Sequence, residues 1–128
     1  MSEFTLEQMK EHRRLWVEAL RSGKYKQGQG VLRSADDHYC CLGVLCDLAG
    51  VEWNTGYTGN YHAGVGQFAT APFEVTDFVG LANEAGSFGA GGDGLATRND
   101  SGATFEEIAD LIERNPPGLF TESMEEAR

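Results

Sequence analysis

Apolar residues return every three or four positions near both ends of the chain, and between those stretches the pattern breaks into short runs separated by glycine. Leu6, Met9, Trp16, Val17 and Leu20 recur at helical spacing, with Arg14 placed to pair with Glu11 and Glu18 on the opposite side. Thr5 followed by Gln8 is a capping-box pattern, so a helix from about residue 5 to 22 is predicted, stopping at Ser22 and Gly23. Residues 24–33 have no helical period and carry Gly28 and Gly30, which predicts an extended, partly exposed strand. Ser34 to Asp37 read as a turn, and His38 to Cys40 as a short second strand.

Cys41 to Ala49 is apolar almost all round, with Asp47 its one charge and Gly50 placed to stop it, which predicts a central buried helix. Gly43 inside that helix costs about 1 kcal/mol relative to alanine, so another backbone is expected to pack closely there. Residues 50–71 read as a long loop or irregular hairpin. Pro72 suits the first residue of a short helix, whose core face is either Phe73, Thr76, Val79 and Leu81 or Val75, Phe78, Val79 and Ala82. A glycine run, Gly86 to Gly94, then precedes Leu95 to Arg98, read as a short strand. Thr104 and Glu107 repeat the capping box before a helix with Phe105, Ile108, Ala109, Leu111 and Ile112 toward the core, ended by Asn115, Pro116, Pro117 and Gly118. The sum is an α+β fold: a compact single domain over 1–120 of three or four helices, two to four short strands and long Gly-rich loops. The acidic tail 121–128 is expected to fray.

A length of 128 residues fits one domain. No run approaches the roughly 18 apolar residues of a membrane span, and the amino terminus lacks the basic-then-apolar layout of a secretion signal, so a cytoplasmic protein with no membrane partner is expected. The formal net charge is −10, which disfavours general or sequence-specific nucleic-acid binding. That charge is uneven: residues 1–33 hold seven bases against four acids, and residues 34–128 three bases against sixteen acids. An anion-binding surface is therefore expected to draw on the first quarter.

Cys40, Cys41 and Cys46 sit in the most apolar segment, which fits buried free thiols better than a disulfide framework. A zinc site would have to be assembled from His38, Cys41, Cys46 and His62, none at the usual short spacings, so no metal and no cofactor is expected. Gly89, Gly91 and Gly94 spell a dinucleotide-binding pattern, but neither the preceding strand nor the following helix that its mechanism needs is predicted. The calcium-type reading of Gly91 to Gly94 supplies one carboxylate. A small hydrolase would need a thiol with His38 or His62, or Ser101 beside Asp100, and these do not cluster in the sequence. A non-enzymatic protein is expected.

Two polar constellations remain. Glu106, Asp110 and Glu113 share one face of the last helix, either as a solvated side or as a patch docking on a basic partner. Tyr25, Lys26, Gln27, Gln29 and Arg33 from the basic quarter, joined to Trp53 and Asn99, would make a pocket for an anionic nucleotide-like ligand: rings for stacking, cations for phosphate, amides for polar edges. The alternative is a surface strand with ordinary solvated charges.

Three blocks, Trp16 to Arg33 (WVEALRSGKYKQGQGVLR), Tyr39 to Gly50 (YCCLGVLCDLAG) and Asn99 to Glu113 (NDSGATFEEIADLIE), resemble those of a small protein family encoded by tailed bacteriophages and prophages. They span 45 of the 128 residues and carry no catalytic assignment. The resemblance implies an accessory protein in the cytoplasm of an infected bacterial host cell, acting in counter-defence as a binder. Its partner would be a small anionic immune signal, such as a cyclic or ADP-ribose-derived nucleotide, or a host defence protein met by the acidic surface, where the chain would act as an inhibitor or nucleic-acid mimic. Either is compatible with a homo-oligomer.

Overall fold

The capping box at Thr5 forms as its spacing predicts: the Thr5 hydroxyl accepts from the Gln8 amide at 3.1 Å, and the Gln8 side chain accepts from the Thr5 amide at 2.9 Å. The computed structural model describes residues 4–55, 59–63, 70–88 and 93–121, and the box opens helix α1, Leu6–Arg21. Met9, Trp16, Val17 and Leu20 bury on one face, but Leu6 is exposed and Arg13 joins the buried set. Arg13 donates from Nε to the Val79 carbonyl at 2.6 Å, and its guanidinium lies 3.8 Å from the Phe120 ring centroid. Its stem packs while its head keeps partners, which is how an arginine can hold a core-facing position.

The long strand expected over 24–33 shrinks to two residues. Strand β1, Lys26–Gln27, pairs in parallel with β2, His38–Tyr39, and pairing ends as Gly30 turns into the left-handed region at φ 80°. Beyond it Leu32 is fully buried against α2, Cys41–Leu48, the central helix that the apolar run predicts. A Cβ built on Gly43 would lie 1.8 Å from the Leu32 carbonyl oxygen, so the close backbone approach expected there is present. Strands β3, Trp53–Thr55, and β4, Tyr61–Ala63, form an antiparallel ladder. Arg33 makes backbone bridges to both Tyr39 and Tyr61, tying the two small sheets together.

Helix α3, Phe73–Val79, begins directly after Pro72 and ends at Gly80 with φ 77°. Its buried side carries Val75 and Val79, while Phe73 is 71% exposed. Phe78, half-buried, stacks on His12 with centroids 3.7 Å apart, which fastens α3 to α1. Residues 95–98, expected as a strand, instead belong to helix α4, Leu95–Asp100. Leu95 and Asn99, four apart, are both fully buried, so the inward face has a polar member and its helical period is hidden. Helix α5, Phe105–Arg114, has the predicted box from Thr104 and Glu107 and the predicted core face. After it Leu119 and Phe120 return to the core, Phe120 bridging Leu81. The described residues thus hold five helices, rather than three or four, and two two-stranded sheets in an α+β arrangement. Residues 122–128 of the acidic tail lie outside the described residues.

Candidate functional site

The parallel pairing of β1 with β2 carries the chain from Gln27 past the ends of three helices. Asn99, on the last turn of α4, accepts at Oδ1 from the Gln27 side-chain amide at 2.8 Å and from the Cys41 backbone amide at 3.2 Å. Its Nδ2 donates to the Gly28 carbonyl at 2.8 Å and to Asp100 Oδ1 at 3.2 Å. Gln27 in turn accepts at Oε1 from the Phe105 amide at 3.1 Å and donates to the Ala103 carbonyl at 2.7 Å. Cys41 and Phe105 open α2 and α5, and the first amides of a helix have no partner inside it. The Gln27–Asn99 pair therefore caps two helices at once. Gln29 reaches the Asn99 carbonyl at 3.1 Å, and the Gly30 amide donates to Asp100 at 2.9 Å.

The first quarter does meet the Asn99 turn. However, Asn99 is fully buried with both its polar atoms engaged, and both polar atoms of Gln27 have partners, so neither offers a free edge to a ligand. With Gln29, which donates to the Asn99 carbonyl, they form a structural clasp, which corrects the expectation that Gln27 and Asn99 read a ligand.

On the other side of β1 the remaining members of the set gather. Lys24, Tyr25, Lys26, Arg33, Asp36, Asp37 and Tyr39 line a cleft of about 420 Å³. Trp53 stands at its edge, with its ring centroid 6.2 Å from that of Tyr39, and Tyr25 meets Tyr39 edge-on at 5.0 Å. The Arg33 guanidinium lies 4.4 Å from the Tyr61 centroid, 5.4 Å from Tyr39 and 5.7 Å from Trp53. Asp47 fixes two of the walls, accepting from the Tyr25 hydroxyl at 2.6 Å and from Trp53 Nε1 at 3.3 Å. Burial, then the Asp47 carboxylate, raises the Tyr25 phenol above its ordinary value, and burial raises that of Tyr39, so both rings are neutral at physiological pH. Tyr39, Tyr61, Asp37 and Asp47 are site members that sequence reasoning missed. Asp47 left a signal, because a lone charge in an apolar helix needs a partner.

Glu106, Asp110 and Glu113 do share a face of α5, and all three converge on Arg21 of α1, Glu113 at 2.7 Å. The patch is thus partly neutralised from within the chain. A second cleft, of about 490 Å³, runs between α1 and α5 beside Lys10, Arg13, Arg14 and Arg21. Its guanidinium groups already have partners: Arg13 holds Val79, Arg14 pairs with Glu11 and Glu18, and Arg21 holds the acidic face.

The three cysteines are free and buried. Burial pushes the Cys40 thiol up to about 11 and raises Cys41 and Cys46 further, so they are protonated packing groups. Among the described residues no group of three or more His, Cys, Asp or Glu side chains is arranged to hold a metal ion. Gly89 and Gly91 lie outside the described residues. A helix does follow Gly94, contrary to expectation, but the Leu95 and Ala96 amides at its start donate to the Gly86 and Ala85 carbonyls at 3.1 and 3.3 Å. Those amides are therefore unavailable to a pyrophosphate. Among the described residues no helix is long and apolar enough to cross a membrane.

These features define a small α+β domain with a buried polar clasp on one side of a short strand and an open aromatic, cationic cleft on the other. The chain belongs to the family described as a domain of unknown function (DUF8296), whose model matches residues 8–116 and so spans both constellations. No curated protein and no solved structure matches it.

Proposed function

We propose that the chain is a non-enzymatic binder that sequesters a small anionic, nucleotide-type ligand in the cleft around Arg33. The observation that carries this reading is the meeting of Lys24, Lys26 and Arg33 with the rings of Tyr25, Tyr39 and Trp53 in a chain whose net charge is −10. Planar rings offer faces to a base, and clustered cations offer charge-assisted hydrogen bonds to phosphate. The cleft's lining brings Lys24, Lys26 and Arg33 together, so an incoming anion meets three cations there. The buried thiols favour binding over the Cys/His hydrolase alternative, because they leave it no accessible sulfur nucleophile. The Arg21 ion pairs weigh against the acidic-inhibitor alternative.

The three phage-like blocks supply the setting, by analogy: the cytoplasm of an infected bacterium, where holding an immune nucleotide is counter-defence. The test is mass spectrometry of small molecules released by heating the purified chain after exposure to a mixture of cyclic and ADP-ribose-derived nucleotides. Recovery of a nucleotide from the wild-type chain, and its loss from Arg33→Gln, is the expected result. Recovery of none overturns the reading.

A further inference from the structure

The Arg33 guanidinium is not empty-handed: Nε and Nη2 both donate to Asp37 Oδ1, at 2.9 and 2.7 Å. This is a single oxygen held by two converging N–H groups, an arrangement that a phosphate oxygen fits equally well. We propose that Asp37 is an internal stand-in for the ligand's phosphate, so that Arg33 Nε and Nη2 form the anion subsite of the cleft and a phosphate-bearing ligand enters by displacing the Asp37 carboxylate. The inference rests on the proposed function and assigns the part of the ligand that this corner takes.

Three observations carry it. First, the two ends of the pair differ in environment: the Arg33 side chain is 21% exposed and wedged among rings, whereas that of Asp37 is 62% exposed. The cation is the fixed member and the carboxylate the movable one. Second, the backbone holds Asp37 independently of its side chain. Its amide donates to the Ser34 carbonyl at 3.0 Å, and the neighbouring His38 amide donates to the Ser34 hydroxyl at 3.0 Å, so a rotation about χ1 frees Arg33 without opening the turn. Third, Asp37 occupies the left-handed region at φ 61°, which asparagine and glycine adopt as readily as aspartate, so the turn does not itself require a carboxylate.

A resident carboxylate competes with an incoming phosphate, so its removal strengthens anion binding, whereas a purely structural ion pair predicts weaker binding once Arg33 loses its brace. Calorimetric titration of ADP into the full chain, Asp37→Asn and Asp37→Gly separates the two. Asparagine keeps the side chain's size and glycine suits the backbone, so at least one variant is expected to fold, as checked by its melting curve. Removing one exposed competing charge is expected to tighten ADP binding about threefold to fivefold. Tighter binding by a folded variant, or binding by a variant alone, supports the stand-in. Unchanged or weaker binding by the folded variants, with wild type binding ADP, overturns the stand-in and leaves the cleft as the ligand site. No binding by any of the three overturns the subsite and the functional reading with it.

Discussion

The clasp and the cleft flank the same two-residue strand, yet they have opposite physical characters. At the clasp Asn99 is fully buried, with each polar atom bonded to a fixed neighbour and two helix starts depending on the network. At the cleft Lys24 and Lys26 are exposed, Tyr25, Arg33, Tyr39 and Trp53 are half-buried, and an ion pair joins a wedged arginine to an exposed carboxylate. What separates scaffold from binding surface here is whether the hydrogen-bonding capacity is closed on itself. A buried amide with its polar atoms paired is expensive to disturb and has nothing left to offer. A half-buried cation whose guanidinium pairs with an exposed carboxylate has capacity that a ligand can take up by displacing that carboxylate.

The comparison breaks most sharply at Asn99. Asn99→Ala takes this partner from the Cys41 amide and the Gly28 carbonyl and removes one of the three bonds of the Gln27 side chain, and buried groups left unpaired cost about 1–3 kcal/mol each. A loss of about 3 kcal/mol or more in urea unfolding is expected, with the released-nucleotide yield changed only as far as the folded fraction falls. A loss under about 1 kcal/mol would mean that water replaces the amide and that the clasp is not structural. The comparison sharpens at Arg33. Arg33→Gln removes one partly exposed ion pair and is expected to cost about 1 kcal/mol or less in the same assay, while abolishing nucleotide recovery. A large stability loss there would move Arg33 into the scaffold, since its backbone also joins the two sheets.

Local signals were legible where a short pattern has one physical meaning. The boxes at Thr5 and Thr104, the apolar run of α2 and the close approach at Gly43 all need only neighbouring residues to be understood. The helix at Leu95 was hidden because its inward face includes Asn99, and a buried polar residue reads as surface until its partners are known. The same ambiguity placed Gln27, Gln29 and Asn99 with Tyr25, Lys26, Arg33 and Trp53 as one pocket. Their spacing brings both groups to β1, where Lys26 and its neighbour Gln27 part to opposite faces, and only the tertiary contacts assign the other residues to one side or the other. Arg21 illustrates the long-range part: its partners are 85, 89 and 92 positions away, and nothing in the helix of Arg21 itself announces them.

The most direct measurement is an amide and side-chain NMR titration of the wild-type chain with ADP. Shifts are expected at Lys24 to Lys26, Arg33, Asp37, Tyr39 and the Trp53 indole, with the Asn99 and Gln27 side-chain amides unmoved. Shifts centred on the Asn99 and Gln27 amides, or on the groove between α1 and α5, would contradict the division between a closed clasp and an open cleft.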